Sequence, residues 1–181
     1  MSKLSYPVPF PCETEWTSRC LSDLVSHLNE RYRQPTHKRI EAIRSLLSQI
    51  GPSDHERREG YHRLRKIFSS LCDTIDEHVW LKDHILCPAI VKVERGLAPD
   101  QSTRDALCEM IMTLEDEHSR LRSIAAELWR AATDVAGSPE LVDEAVLDSD
   151  LDLLALLLDE QLDLEERCLW PRALILLQQP V

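Results

Sequence analysis

Apolar residues recur every three or four positions along four long stretches of this chain, and in three of them polar residues interrupt the stripe. One stripe runs Leu64, Ile67, Leu71, Ile75, then meets His78 and Lys82 before Ile85 and Ala89. The next runs Leu107, Ile111, Leu114, meets His118, and goes on through Leu121, Ala125 and Leu128. The last runs Leu151, Leu154, Leu158, meets Gln161 and Glu165, and resumes at Leu169. This is the period of a helix with one face in a core. A polar group on such a face is costly unless another polar group or an ion satisfies it.

The stop and start signals divide the chain. Pro7, Pro9 and Pro11 predict an extended lead-in over residues 1–15, followed by a single domain over 16–177. A first helix is expected from Ser18 to Ile50, kinked at Pro35 and stopped by Gly51-Pro52. Ser53-Asp54-His55-Glu56 has capping-box spacing and predicts a short helix. Long helices are then expected from Tyr61 to Glu94, Thr103 to Val135 and Ser149 to Leu177, with a short connecting helix beginning at Ser138-Pro139. Four such helices predict an all-α, up-down-up-down four-helix bundle. Antiparallel helices of similar length align their midpoints. Those midpoints fall at Arg33 and His37, at His78, at His118, and at Gln161 and Glu165, which predicts one polar layer halfway along the bundle.

Composition narrows the choice of partners. The 181 residues suit one domain with a sizeable core. A net charge of −11 argues against nucleic acid and anionic membrane. The most apolar run, Leu151 to Leu164, is broken by Asp152, Asp159, Glu160 and Asp163, so no bilayer span is expected. The first twenty residues carry no secretory pattern. Six cysteines, at positions 12, 20, 72, 87, 108 and 168, form no C-x-x-C pair. They read as reduced, mostly buried thiols in a cytoplasm. Trp16, Trp80, Trp129 and Trp170 are expected to pack the bundle. No serine or cysteine is set beside a histidine and carboxylate, and no glycine loop could cradle a phosphate.

Pairs at i and i+4 project side by side, and such pairs on facing helices are how bundles build dinuclear iron sites. The candidates here are Arg33 with His37, His78 with Lys82, and Gln161 with Glu165, with His118 alone. Imidazole and carboxylate together suit iron, and open positions then allow oxygen or nitric oxide chemistry. Lys82 and Arg33 point to a second physics, in which they neutralise Glu165 and hydrogen-bond Gln161 where metal would otherwise sit.

Four motifs carry a family resemblance. They are Trp16-Thr-Ser with Leu21 and His27-Leu-Asn-Glu-Arg-Tyr32; Glu77-His78-Val-Trp-Leu-Lys-Asp-His-Ile-Leu-Cys-Pro88; Glu115-Asp-Glu-His118; and Leu162-Asp-Leu-Glu165-Glu-Arg-Cys-Leu-Trp-Pro-Arg-Ala-Leu174. From Trp16 to Leu174 the chain resembles the hemerythrin-like domain of the iron-centre repair (RIC, ScdA-type) di-iron proteins. That family's N-terminal segment with paired cysteines has no counterpart in these residues. The resemblance implies a hemerythrin-like bundle and metal ligands at His78, His118 and Glu165. At three further ligand positions this chain has Gln161, Lys82 and Arg33, and His37 lies one turn beyond Arg33 as a substitute.

Two readings follow. One is a non-haem protein holding one or two iron ions through His78, His118, Glu165 and His37, related to iron-centre repair and nitrosative or oxidative stress. Its partners would be oxygen, nitric oxide or an iron–sulfur client protein, with iron donation or gas binding rather than turnover. The other is a metal-free binding or regulatory module on the same fold.

Overall fold

The structure is a computed structural model that describes residues 16, 18–49, 55–97, 99–135 and 144–179. The lead-in over 1–15, the Gly51-Pro52 stop, the Ser53 cap and the Ser138-Pro139 helix lie outside the described residues. Four helices carry the rest, and no strand occurs among the described residues. Helix α1 covers residues 21–49, α2 residues 55–94, α3 Gln101–Val135 and α4 residues 144–177. The segment expected as a short separate helix near His55 is instead the first part of α2, which runs through Gly60 without a break. Gly60 has a packing reason to lack a side chain. A Cβ there would meet Val135 Cγ1 at 2.7 Å.

Contacts at the helix ends fix the directions. Glu94, at the end of α2, accepts hydrogen bonds from the backbone N–H groups of Leu21 and Ser22 at the start of α1, at 2.5 and 2.9 Å. Cys20 supplies no side-chain cap, so a carboxylate from the neighbouring helix satisfies α1's free amides. Gly60 against Val135 sets α2 antiparallel to α3. The Arg104 guanidinium, near the start of α3, donates to the carbonyls of Leu177 and Gln179 at the end of α4. Arg39 on α1 pairs with Asp150 on α4, and Arg31 with Glu160. The bundle is therefore up-down-up-down.

Local chemistry explains the described ends. Helix α2 stops where Gly96 takes φ 83°, with Leu97 N–H bonded to Lys92 C=O and Gly96 N–H to Val93 C=O, the double closure of a Schellman turn. Helix α3 starts two residues before the expected Thr103, because the Asp100 carboxylate caps the Thr103 amide at 2.8 Å. That bond holds the Asp100 carboxyl below its ordinary range.

Three helices share one irregularity. A π turn occupies Asn29–Arg33 in α1, Lys82–Leu86 in α2 and Glu165–Leu169 in α4. Each ends two residues before a proline, Pro35, Pro88 or Pro171. Proline has no N–H and its ring crowds the carbonyl four residues back. The wider turn removes the conflict and lets a new α segment begin with proline in its first turn, where no donor is needed. In α2 and α4 the closing bonds are Cys87 N–H to Lys82 C=O and Trp170 N–H to Glu165 C=O. Helix α3 has no proline and no π turn.

The core is in two parts. Leu24, Leu86, Ile111, Leu114, Leu169 and Trp170 belong to one apolar cluster, and Ile43, Leu64, Leu71, Leu121, Leu154 and Leu162 to the other. The polar layer lies between them. Of the tryptophans, Trp16 and Trp170 pack as expected. Trp80 is 53 % exposed and stacks on His84, and Trp129 is 39 % exposed and donates to Asp152. Both fall off the apolar stripe of their helix.

Candidate metal centre

Five polar side chains fill the gap between the two apolar clusters: His78 and Lys82 from α2, His118 from α3, and Gln161 and Glu165 from α4. All are buried, His118 and Glu165 completely. Lys82 and Glu165 are each the first residue of a π turn. Helical spacing puts His78 beside Lys82, and Gln161 beside Glu165.

Glu165 is the hub, and its two oxygens have different neighbours. Oε1 accepts from Lys82 Nζ at 2.5 Å and from Gln161 Nε2 at 2.8 Å. Oε2 lies 3.1 Å from His78 Nε2 and 3.2 Å from His118 Nε2. Burial alone would push this carboxyl up. The Lys82 charge, the His118 and His78 hydrogen bonds and the His78 charge outweigh that and hold it well below the usual carboxylate range. It is ionised in the folded protein.

The far nitrogen of each imidazole also faces an acid. His118 Nδ1 lies 2.9 Å from Glu166 Oε1, and Arg122 donates to both Glu166 oxygens at 2.6 and 3.2 Å. Burial pushes the Glu166 carboxyl up, but the Arg122 and His118 bonds bring it below its ordinary value. His78 Nδ1 lies 3.4 Å from Glu117 Oε2, out of hydrogen-bond alignment, so both atoms are buried without a hydrogen-bond partner. A carboxylate behind the outer nitrogen is the arrangement that orients a metal-binding imidazole and aims its other nitrogen at the ion.

The donor set fits a cation. His78, His118 and Glu165 each offer one ligand atom, all within 4.8 Å of one another. Donors that share a first-row divalent ion at about 2.1 Å sit roughly 3 Å apart when they subtend a right angle. The two Nε2-to-Oε2 separations match that spacing. His118 gives a second sign. Both its nitrogens face carboxylate oxygens, and a neutral imidazole has only one N–H. A cation between Nε2 and Oε2 removes the conflict without charging the ring. Two imidazoles and one carboxylate are the ligand types of non-haem iron(II) sites with open positions.

The structure thus brings His78, His118 and Glu165 together and leaves His37 out. His37 is exposed, on the rim of a cavity beside the layer. Arg33, expected to neutralise Glu165, is also exposed and lies 3.2 Å from Asp83 instead. The reason is register. The inward stripe of α1 passes through Leu28, Tyr32, Thr36 and Ile40, one residue behind Arg33 and His37, so about 100° away. Asp83, the second residue of the α2 π turn, has a side chain only 6 % exposed.

Glu117, Glu166 and Arg122 carried no assignment from the sequence. Glu117 and Glu166 precede or follow a ligand candidate directly, which was the available signal. Arg122 sits one turn after His118 and reads as an ordinary surface cation until α4 is placed beside it.

Residues 35–173 match the family model described as the hemerythrin HHE cation binding domain. No curated protein and no solved structure matches the chain.

Proposed function

The chain belongs to the hemerythrin HHE cation-binding family, and from that premise we propose that it holds one non-haem iron ion on His78, His118 and Glu165. The carrying observation is the convergence of two Nε2 atoms on one oxygen of an ionised, fully buried carboxylate. Lys82 and Gln161 hold the other oxygen and so aim Oε2 at the imidazoles. Glu166, fixed by Arg122, holds His118 from behind. A second ion has no place in this arrangement, since the Lys82 ammonium occupies one family ligand position and Gln161 another. When bound, non-haem iron supplies one-electron chemistry and affinity for diatomic gases.

The physiological role in this reading is iron donation or the binding of oxygen or nitric oxide, in a reducing cytoplasm, within an iron-centre repair and stress setting. Its support is the likeness of four motifs to the iron-centre repair proteins.

Elemental analysis of protein grown in iron-replete medium tests the proposal. About one iron per chain is expected, falling at least tenfold in His118→Ala and in His78→Ala. Folded wild-type protein that takes up no iron after chelation and reloading would overturn it. A second reading, a metal-free module, is favoured by one observation. The Lys82–Glu165 pair with Gln161 already satisfies half of the carboxylate.

A further inference from the structure

The two imidazoles meet Glu165 on nearly equal terms in front, at 3.1 and 3.2 Å, but they are held differently from behind. His118 Nδ1 lies 2.9 Å from Glu166 Oε1, and Arg122 fixes Glu166 through bonds to both its oxygens. Arg122 is itself 3.4 Å from Asp159 and 3.4 Å from Asp163. The His118 side chain is completely enclosed, and its ring centroid is 6.3 Å from that of Trp170. His78 has no such frame. Its Nδ1 and the facing Glu117 Oε2 are 3.4 Å apart and buried, and neither makes a hydrogen bond. Buried polar atoms left in that state are rare and costly. The position of His78 is therefore held less firmly than that of His118.

Space differs as well. A cavity of about 830 Å³ lies between α1, α2 and α4. His78 is in its wall, with Ile75, Val79 and Leu158, whereas His118 and Glu165 are not. The cavity is on the side of α1, the helix that supplies none of the five layer side chains. A helical side chain turns between two χ1 wells, and the turn needs an empty volume beside the ring. His78 has that volume. When its ring leaves, Glu165 keeps Lys82, Gln161 and His118, so the buried charge stays satisfied. We propose that His78 is the exchanging ligand of the iron site, turning between the layer and this cavity as iron is taken up and given away, and that His118 is the fixed anchor. This role rests on the iron site proposed above and adds to it how that site opens for donation.

Chemical rescue and exchange rates test it in the full chain, loaded with iron(II) without oxygen. In equilibrium dialysis, free imidazole is expected to enter the cavity and restore iron binding in His78→Ala, and to restore none in His118→Ala. Release to excess ferrozine gives the rates. Val79→Phe and Leu158→Phe each fill part of the cavity beside His78, and should slow release and uptake alike by about tenfold while Kd stays within about threefold. Glu166→Gln should weaken affinity about tenfold or more, and Glu117→Gln less than about threefold. Rescue of His118→Ala as full as that of His78→Ala, no rescue of folded His78→Ala, or unchanged rates in both filled variants would overturn the proposal. So would a loss in Glu117→Gln as large as in Glu166→Gln. Wild-type protein that takes up no iron would overturn the iron site itself, and this role with it.

Discussion

Glu165 shows how one buried side chain can serve two physical states. Its carboxylate is completely enclosed, and an isolated charge there would be expelled as the neutral acid. Four neighbours prevent this, namely Lys82, Gln161, His78 and His118. The pair with Lys82 adds little net stability compared with an apolar pair, but losing one partner leaves a bare charge. In metal-stripped protein, Glu165→Ala is therefore expected to cost about 3–5 kcal/mol in urea unfolding, and Glu165→Ala with Lys82→Met much less. Equal losses in single and double variants would show that Lys82 is not the partner that matters. The free thiols follow ordinary burial. Desolvation pushes Cys72 up to about 11 and Cys87 up to about 12, so neither is a nucleophile at neutral pH.

At the scale of elements, the π turns decide which residues of a stripe reach the core. A straight α-helix through His78 and Lys82 continues to Ile85 and Ala89. In the structure Ile85 is exposed, and Leu86 and Ile90 are fully buried, one residue later. That offset is what one extra residue in a turn produces. The same device puts Lys82 and Glu165 at the head of their π turns, facing each other. Pro171→Ala restores an N–H able to reach the Arg167 carbonyl, so the π turn can relax to α and rotate Glu165 relative to the turn that follows. Iron content of this variant is expected to fall by at least half while its far-UV helix signal stays unchanged. Full iron occupancy would mean the π turn is held by packing rather than by proline.

For the whole molecule, the polar layer stands between two apolar clusters, and in it side chains from α2, α3 and α4 converge on one point. An ion shared by three helices stabilises the native state by mass action, about 2.7 kcal/mol at a hundredfold excess over Kd. For a chain of this length that is roughly a 5–10 °C rise in Tm on loading, readable by calorimetry. No shift on loading would argue against a site that bridges helices. No helix among the described residues is long and apolar enough to cross a membrane. The four long helices, the bundle topology and the level of His78, His118, Gln161 and Glu165 were legible in the sequence, because a 3.6-residue period and aligned midpoints are facts that add along the chain. Which side of α1 faces inward was not legible, since a proline can be met by a kink or by a π turn, and only packing against α2 and α4 selects Tyr32 and Thr36 over Arg33 and His37. Nor was the pairing of Glu117 with His78 and of Glu166 with His118, because such contacts cross between helices, and sequence spacing carries no information about a neighbour's rotation.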